Sequence, residues 1–335
     1  GEVHHWPRYE APPAFGVVAV LESDDADNER TLRALVERNA LNVAAPTFAV
    51  ETLPRHAPEN SIAAVTERLV ETLCQRGLSA REPMVANLEQ ALPSIPLAAD
   101  GDAPTRALLL VGSAKPVGTS TSERLGESLC DRLATHGIVT ETHYVHREAH
   151  NVWGLATLCA AARACDLLII ASPLYFDALP ALVTRAMEAI ADDRAESPTP
   201  LTVAAVLNCG FPESHHIMVA RATTALFARV TQARWAGALM LGGGGVLNGR
   251  PLADAGSVVA HLPAAIDRAA DALSSGRSIP AEASDVVARP LMPTALYTLA
   301  GDAGWLWTAA HAHTLTRLWR RPAGTAGSVR GDSAP

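Results

Sequence analysis

Cysteine is scarce, with five residues (Cys74, Cys130, Cys159, Cys165 and Cys209), an odd number without a C-x-x-C pair. A disulfide framework, an iron–sulfur cluster and a structural zinc site are therefore not expected. Positive charge is also in deficit. Lys and Arg total 27 against 35 Asp and Glu, a net charge of −8, and no basic stripe exists to neutralise phosphates, so a nucleic-acid partner is not expected. An apolar run is missing at the start: His4, His5, Trp6, Arg8, Glu10, Pro7, Pro12 and Pro13 stand where a secretory leader needs its apolar segment. The expectation is a cytoplasmic protein without a transmembrane segment. Two nucleotide fingerprints are absent as well. There is no G-x-x-x-x-G-K-[ST], and no G-x-G-x-x-G follows a strand, which disfavours ATP hydrolysis and a dinucleotide Rossmann site.

What is present is a hydrophobic content of 48% over 335 residues, enough for one large domain with a substantial extension. The stretch around which the chain is organised runs from 107 to 125. Ala107, Leu108, Leu109, Leu110 and Val111 read as a strand buried on both faces, ending at Gly112 in a loop of hydroxyls, glycines and Lys115. A helix follows, with Leu125, Leu129 and Leu133 spaced every four residues and Ser120 and Glu123 in the form of a capping box. Strand, small polar loop and helix start together make the geometry that holds a phosphate, because free N–H groups and the positive helix end converge on the loop. A compact Ser/Thr-rich loop suits a single phosphomonoester such as that of FMN; the alternative is a capping loop with no ligand.

From residue 106 onward, strands and helices alternate. Strands are expected at 107–111, 138–145, 167–171, 201–207 and 236–241, each followed by a helix, which makes five units. This order specifies a doubly wound α/β fold with a five-stranded parallel sheet, and it gathers the loops at 112–120, 172–180, 208–213 and 242–249 at one sheet edge, where ligands bind. Before residue 106, a strand at 17–21, a helix at 29–38, a strand at 47–53 and a helix at 61–76 stopped by Gly77 form an additional N-terminal α/β extension. Its first loop, 22–28, carries Glu22, Asp24, Asp25 and Asp27, which repel a phosphate, so packing or subunit association is the expected role. Residues 78–105, rich in proline, read as a linker. The expected division is 1–105, 106–290 and a helical tail at 291–335.

Gly112-Ser113-Ala114-Lys115 with its hydroxyl cluster, Ser172-Pro173-Leu174-Tyr175, Asn208-Cys209-Gly210-Phe211-Pro212-Glu213 and the glycine-rich turn from Gly242 together resemble the NAD(P)H-dependent FMN reductase branch of the flavodoxin-like proteins. The resemblance spans roughly 106–322. It implies FMN as cofactor, NAD(P)H as co-substrate, and a small electron acceptor such as a quinone or another flavin. Ser113, Lys115, Thr119, Ser120, Thr121 and Ser122 would hold the phosphate. Pro173, Leu174, Tyr175 and Phe176 would line the ribityl chain and ring, and Asn208, Cys209, Gly210 and Phe211 would approach the ring from the third loop. The chemistry would be the flavin's, with no side chain as acid or base. This chain departs from the family by having Lys115 in place of the usual Arg, and by a longer loop at 116–118.

Several readings stay open on the residues themselves. Tyr175 and Phe176 suit either stacking on the ring or packing. Cys209 reads as structural or ring-contacting rather than nucleophilic, since no local His or Lys lowers its pKa. His215 and His216, expected to point apart, and His4 with His5 offer only a minor metal alternative. The Trp-containing tail, 296–319, is expected to pack on the domain or on a second subunit of a homo-oligomer rather than to lie in a membrane interface. An electron carrier of the flavodoxin type and a cofactor-free scaffold are the rival functions.

Overall fold

The computed structural model describes residues 13–21, 25–74, 87–196 and 198–318. The N-terminal extension contains β1 (Phe15–Leu21), α1 (Ala26–Asn42), β2 (Phe48–Pro54), α2 (Glu59–Cys74) and the one-turn helix α3 (Leu88–Ala91). β1 and β2 pair in parallel as a separate two-stranded sheet. Helix α1 starts earlier than the apolar spacing indicates because Asp25 caps it, its side chain accepting from the Asp27 N–H at 2.9 Å, and it continues to Asn42. Residues 1–12, Glu22–Asp24, Gly77 and 319–335 lie outside the described residues, and with them His4, His5, Trp319 and part of the acidic loop.

The main body follows with β3 (Arg106–Val111), α4 (Thr121–Thr135), β4 (Val139–Tyr144), α5 (Val145–Glu148), α6 (Val152–Ala164), β5 (Leu167–Pro173), α7 (Ala181–Glu196), β6 (Thr202–Asn208), α8 (Met218–Val230), β7 (Arg234–Leu241), α9 (Leu262–Ser274), α10 (Ala281–Ala288) and α11 (Thr294–His311). The five strands form an all-parallel sheet in the order β4-β3-β5-β6-β7. Numbered from its first strand this is 2-1-3-4-5, the flavodoxin-like doubly wound order, whose switch point lies between the first and third strands, here β3 and β5.

Alternation along each strand splits the core in two. Leu109, Ile169 and Val206 face α4, α9 and α10, while Leu108, Leu110, Leu168, Ile170 and Leu207 face α6, α7 and α8. Each such side chain, once fully buried, contributes about 1.5–3 kcal/mol. The proline-rich stretch before β3 is no free linker. Leu88 and Leu92 are buried against α1 and α8, the Ala98 N–H donates to the Trp235 carbonyl at 2.9 Å, and Arg234 donates to the Ala99 carbonyl. The extension is tied on by Arg229 of α8, which pairs with Asp25 and Asp27, so those carboxylates serve an ion pair.

The tail makes few contacts with its own domain. Helix α11 buries Ala309 alone and leaves Trp305 74% and Trp307 65% exposed, so it does not pack broadly on the domain. No helix among the described residues is long and apolar enough to cross a membrane.

One edge-strand feature has a pH signature. His143 of β4 lies 2.9 Å from Glu141 Oε1 and 2.7 Å from Glu148 Oε2. Burial alone lowers an imidazole pKa, but the hydrogen bonds and charges of Glu148 and Glu141 outweigh it and hold His143 above its ordinary value. A folded pKa above the unfolded one gives stability that is complete below about pH 6.5 and disappears as pH rises through the folded value. His143→Gln is therefore expected to cost on the order of 1 kcal/mol near pH 5.5 and far less near pH 9, read by urea unfolding at both.

Candidate functional site at the sheet edge

The four loops that the alternation gathers do meet. The Leu174 N–H donates to the Asn208 carbonyl at 3.0 Å and the Gly244 N–H to the Cys209 carbonyl at 2.8 Å. Thr121 Oγ1 donates to the Gly244 carbonyl at 2.9 Å and accepts from the Gly249 N–H at 3.3 Å. The β3, β5, β6 and β7 loops thus form one surface at the C-terminal sheet edge.

Between the β5 and β6 loops is a cavity of about 360 Å³, lined by Leu174, Tyr175, Phe176, Asp177, Cys209, Gly210, Phe211 and, from α1, Asn42. Tyr175 and Phe176 are 49% and 52% exposed. Phe176 and Asp177 both adopt left-handed backbone, with φ of 55° and 59°, a conformation that costs non-glycine residues and needs outside support. The support comes from the extension. Arg38 of α1, 1% exposed, donates through Nε to Asp177 Oδ2 at 3.2 Å, and Asn42 Nδ2 donates to the same oxygen at 3.0 Å. His216 completes the cluster, with Nδ1 at 2.5 Å from Arg38 Nη2 and at 3.8 Å from Asp177 Oδ1. The rings of His215 and His216 stack at 4.4 Å in a short 3₁₀ turn, Ser214–Ile217, rather than pointing apart.

Cys209 is buried, and its thiol donates to the Phe211 carbonyl at 3.3 Å. Burial pushes the thiol up to about 12, so it lacks thiolate character. Gly210 has open space where a side chain would project, so this loop presents bare backbone. Tyr297 of α11 donates its hydroxyl to the Gly210 carbonyl and is the tail's main link to the site.

The loop after β3 is arranged differently. Ser120 caps α4 as the spacing indicates, accepting from the Glu123 N–H at 3.2 Å. Glu123 does not complete an ordinary capping box. Its carboxylate lies in the loop, accepting from the Gly118 N–H at 2.8 Å on both oxygens and from the Tyr144 hydroxyl at 2.9 Å, and the residue is 1% exposed. Burial and the hydrogen bond to Glu123 push the Tyr144 phenol up to about 12. Two of the hydroxyls predicted to hold a phosphate donate elsewhere, Thr119 Oγ1 to the Pro116 carbonyl at 2.6 Å and Thr121 Oγ1 to the Gly244 carbonyl, whereas Ser113 Oγ accepts from the Lys115 N–H at 3.2 Å and keeps its own O–H as a donor. Ser122 Oγ and Asn208 Oδ1 are buried without a partner. Lys115 is exposed, and Arg124 is committed to the Gly249 and Gly118 carbonyls and to Glu127.

Against FMN, the two halves of the site therefore behave differently. The ring half fits, with a cavity of suitable size, aromatic rims and an open backbone loop. The phosphate half fits less well, since the Glu123 carboxylate already takes one of the loop's donors, the Gly118 N–H. Arg38, Asn42 and Tyr297 were not legible as site residues, because their sequence positions carry no motif, and His216 stood out only as one of an adjacent histidine pair with a minor metal alternative. Glu123 was legible only as half of a capping box.

No family model matches the chain, and no curated protein matches it. Solved structures do. An NAD(P)H:quinone oxidoreductase from Methanothermobacter marburgensis is 16% identical, covers 51% of this chain and 96% of its own, and gives a TM-score of 0.39. An FMN-dependent NADH-azoreductase from Bacillus anthracis in complex with FMN is 10% identical, with 50% and 99% covered and a TM-score of 0.38. A flavodoxin, WrbA-like protein from Agrobacterium tumefaciens is 14% identical, with 39% and 76% covered and a TM-score of 0.32.

Proposed function

We propose that this chain is a flavin-dependent oxidoreductase that takes electrons from NAD(P)H and passes them to a small acceptor such as a quinone or a second flavin. The observation that carries this reading is the cavity beside the switch point, about 360 Å³, between the Tyr175–Asp177 and Cys209–Phe211 segments. A bound flavin supplies the redox chemistry; the protein supplies orientation, exclusion of water and backbone hydrogen bonds. Here those tasks fall to Leu174 and Phe211 as apolar walls, to Tyr175 and Phe176 as aromatic rims, and to Arg38, which holds the rim through Asp177. FMN is the cofactor that the resemblance implies, and its ring is the part this site accommodates.

The test is anaerobic. Purified protein loaded with flavin is expected to lose its visible flavin absorbance on addition of NADH or NADPH. Persistence of the absorbance with both nucleotides sinks the reading. A second reading, a cofactor-free scaffold, is favoured by one observation, the burial of Glu123 in the loop after β3. Colourless protein that quenches the fluorescence of neither riboflavin nor FMN selects it.

A further inference from the structure

The carboxylate of Glu123 sits where a phosphate-binding loop would receive its anion. A helix start attracts negative charge through its unpaired N–H groups and the helix dipole. In this chain the anion is covalently attached to the helix itself. The carboxylate is fastened on two sides, by the Gly118 N–H and the Tyr144 hydroxyl, and its own N–H is capped by Ser120. Two further devices close the loop around it. Gly249 lies so near Thr119 that a Cβ there would sit 2.1 Å from the Thr119 carbonyl oxygen, and Arg124 bridges the Gly118 and Gly249 carbonyls. Of the two cations beside the loop, Arg124 donates from Nε, Nη1 and Nη2 to the Gly249 carbonyl, Glu127 and the Gly118 carbonyl, and Lys115 is exposed to solvent. The ring cavity, by contrast, is open and makes no use of this loop.

We propose that Glu123 is a resident anion that makes the site select against a terminal phosphate, so that the cavity takes a phosphate-free isoalloxazine of the riboflavin class in preference to FMN. A phosphomonoester must displace the carboxylate from the Gly118 N–H or share a closed loop with a second negative charge. A riboflavin-type ligand ends in a neutral hydroxyl and does neither. The ring half of this proposal rests on the flavin reading above; the anion half stands on the loop alone.

The experiment uses the full chain and two variants, Glu123→Gln and Glu123→Ala. Inorganic phosphate reads the loop by itself. At matched ionic strength, wild type is expected to show no rise in Tm specific to phosphate over chloride, and Glu123→Ala to show one. Fluorescence quenching reads the whole site. Wild type is expected to bind riboflavin at least as tightly as FMN. Glu123→Ala should shift the preference toward FMN by roughly ten- to a hundredfold, the range of one or two charge-assisted hydrogen bonds. Glu123→Gln keeps an acceptor for Gly118 but loses the charge, and should fall between; it carries the test if the alanine variant does not fold. The proposal is overturned if wild type prefers FMN by about tenfold or more. It is also overturned if wild type shares the phosphate response, or if removing the carboxylate changes neither the phosphate response nor the flavin preference. If no flavin binds to any of the three proteins while the phosphate response appears only without the carboxylate, the role of Glu123 stands and the flavin reading fails.

Discussion

Arg38→Leu is expected to lower the unfolding free energy by about 3–5 kcal/mol and to abolish ligand binding in the cavity. The size follows from what is left behind. Asp177 has 2% of its side chain exposed, and without the guanidinium its charge would be left to Asn42 and the more distant His216, in a place where water cannot replace the lost partner. The same loss removes the support for two consecutive left-handed residues, Phe176 and Asp177, so the rim is expected to relax to ordinary backbone geometry and the cavity to lose its wall. A double variant, Arg38→Leu with Asp177→Asn, separates the causes. Asparagine tolerates the left-handed region and carries no charge, so the pair should be less destabilised than Arg38→Leu alone, although the rim loses its ionic anchor in both. Urea unfolding of the wild type, the single variants and the double variant reads the coupling. Additive single effects would show that the ion pair does not hold the rim.

Gly249→Ala is expected to cost about 2–4 kcal/mol, from left-handed strain together with overpacking. Its φ is 73°, and a Cβ would meet the Thr119 carbonyl oxygen at 2.1 Å and the carbonyl carbon at 2.5 Å. Both neighbours are backbone, so a rotamer change cannot make room; the two loops must part, and Arg124 loses its bridge between them. Gly256→Ala is the control. Its φ is 74°, nearly the same, but no atom lies within 4 Å of the added carbon, so only the backbone strain applies, about 1–2 kcal/mol. Equal losses for the two variants would mean that the closed loop contributes nothing. A larger loss at Gly249 measures the contact between the β3 and β7 loops.

The main sheet was legible in detail because its signal is local. A parallel strand covered on both faces must be apolar throughout, and stretches such as Leu167, Leu168, Ile169 and Ile170 have no other economical arrangement. Cap chemistry is local too: Ser120 and Glu123 lie three residues apart, and the Ser120 bond to the Glu123 N–H forms as the spacing indicates. The destination of the Glu123 carboxylate was not legible. Whether it reaches back to the cap or turns to Gly118 depends on Tyr144, at the end of a neighbouring strand 21 residues away. The contacts of the tail were not legible for a related reason. Its tryptophans promise burial by composition, but only the arrangement of neighbouring elements decides whether a surface exists to receive them.

By itself, then, the order of residues determined the parallel sheet, its two flanking layers and the edge at which four loops converge, because hydrophobic periodicity and chain connectivity act over short distances. The tertiary structure alone decided what occupies that edge. Arg38 meets Asp177 from 139 positions away, and Glu123 takes the Gly118 N–H that an incoming anion would need. Burial in a low-dielectric interior makes such pairings strong, yet sequence spacing carries no trace of them.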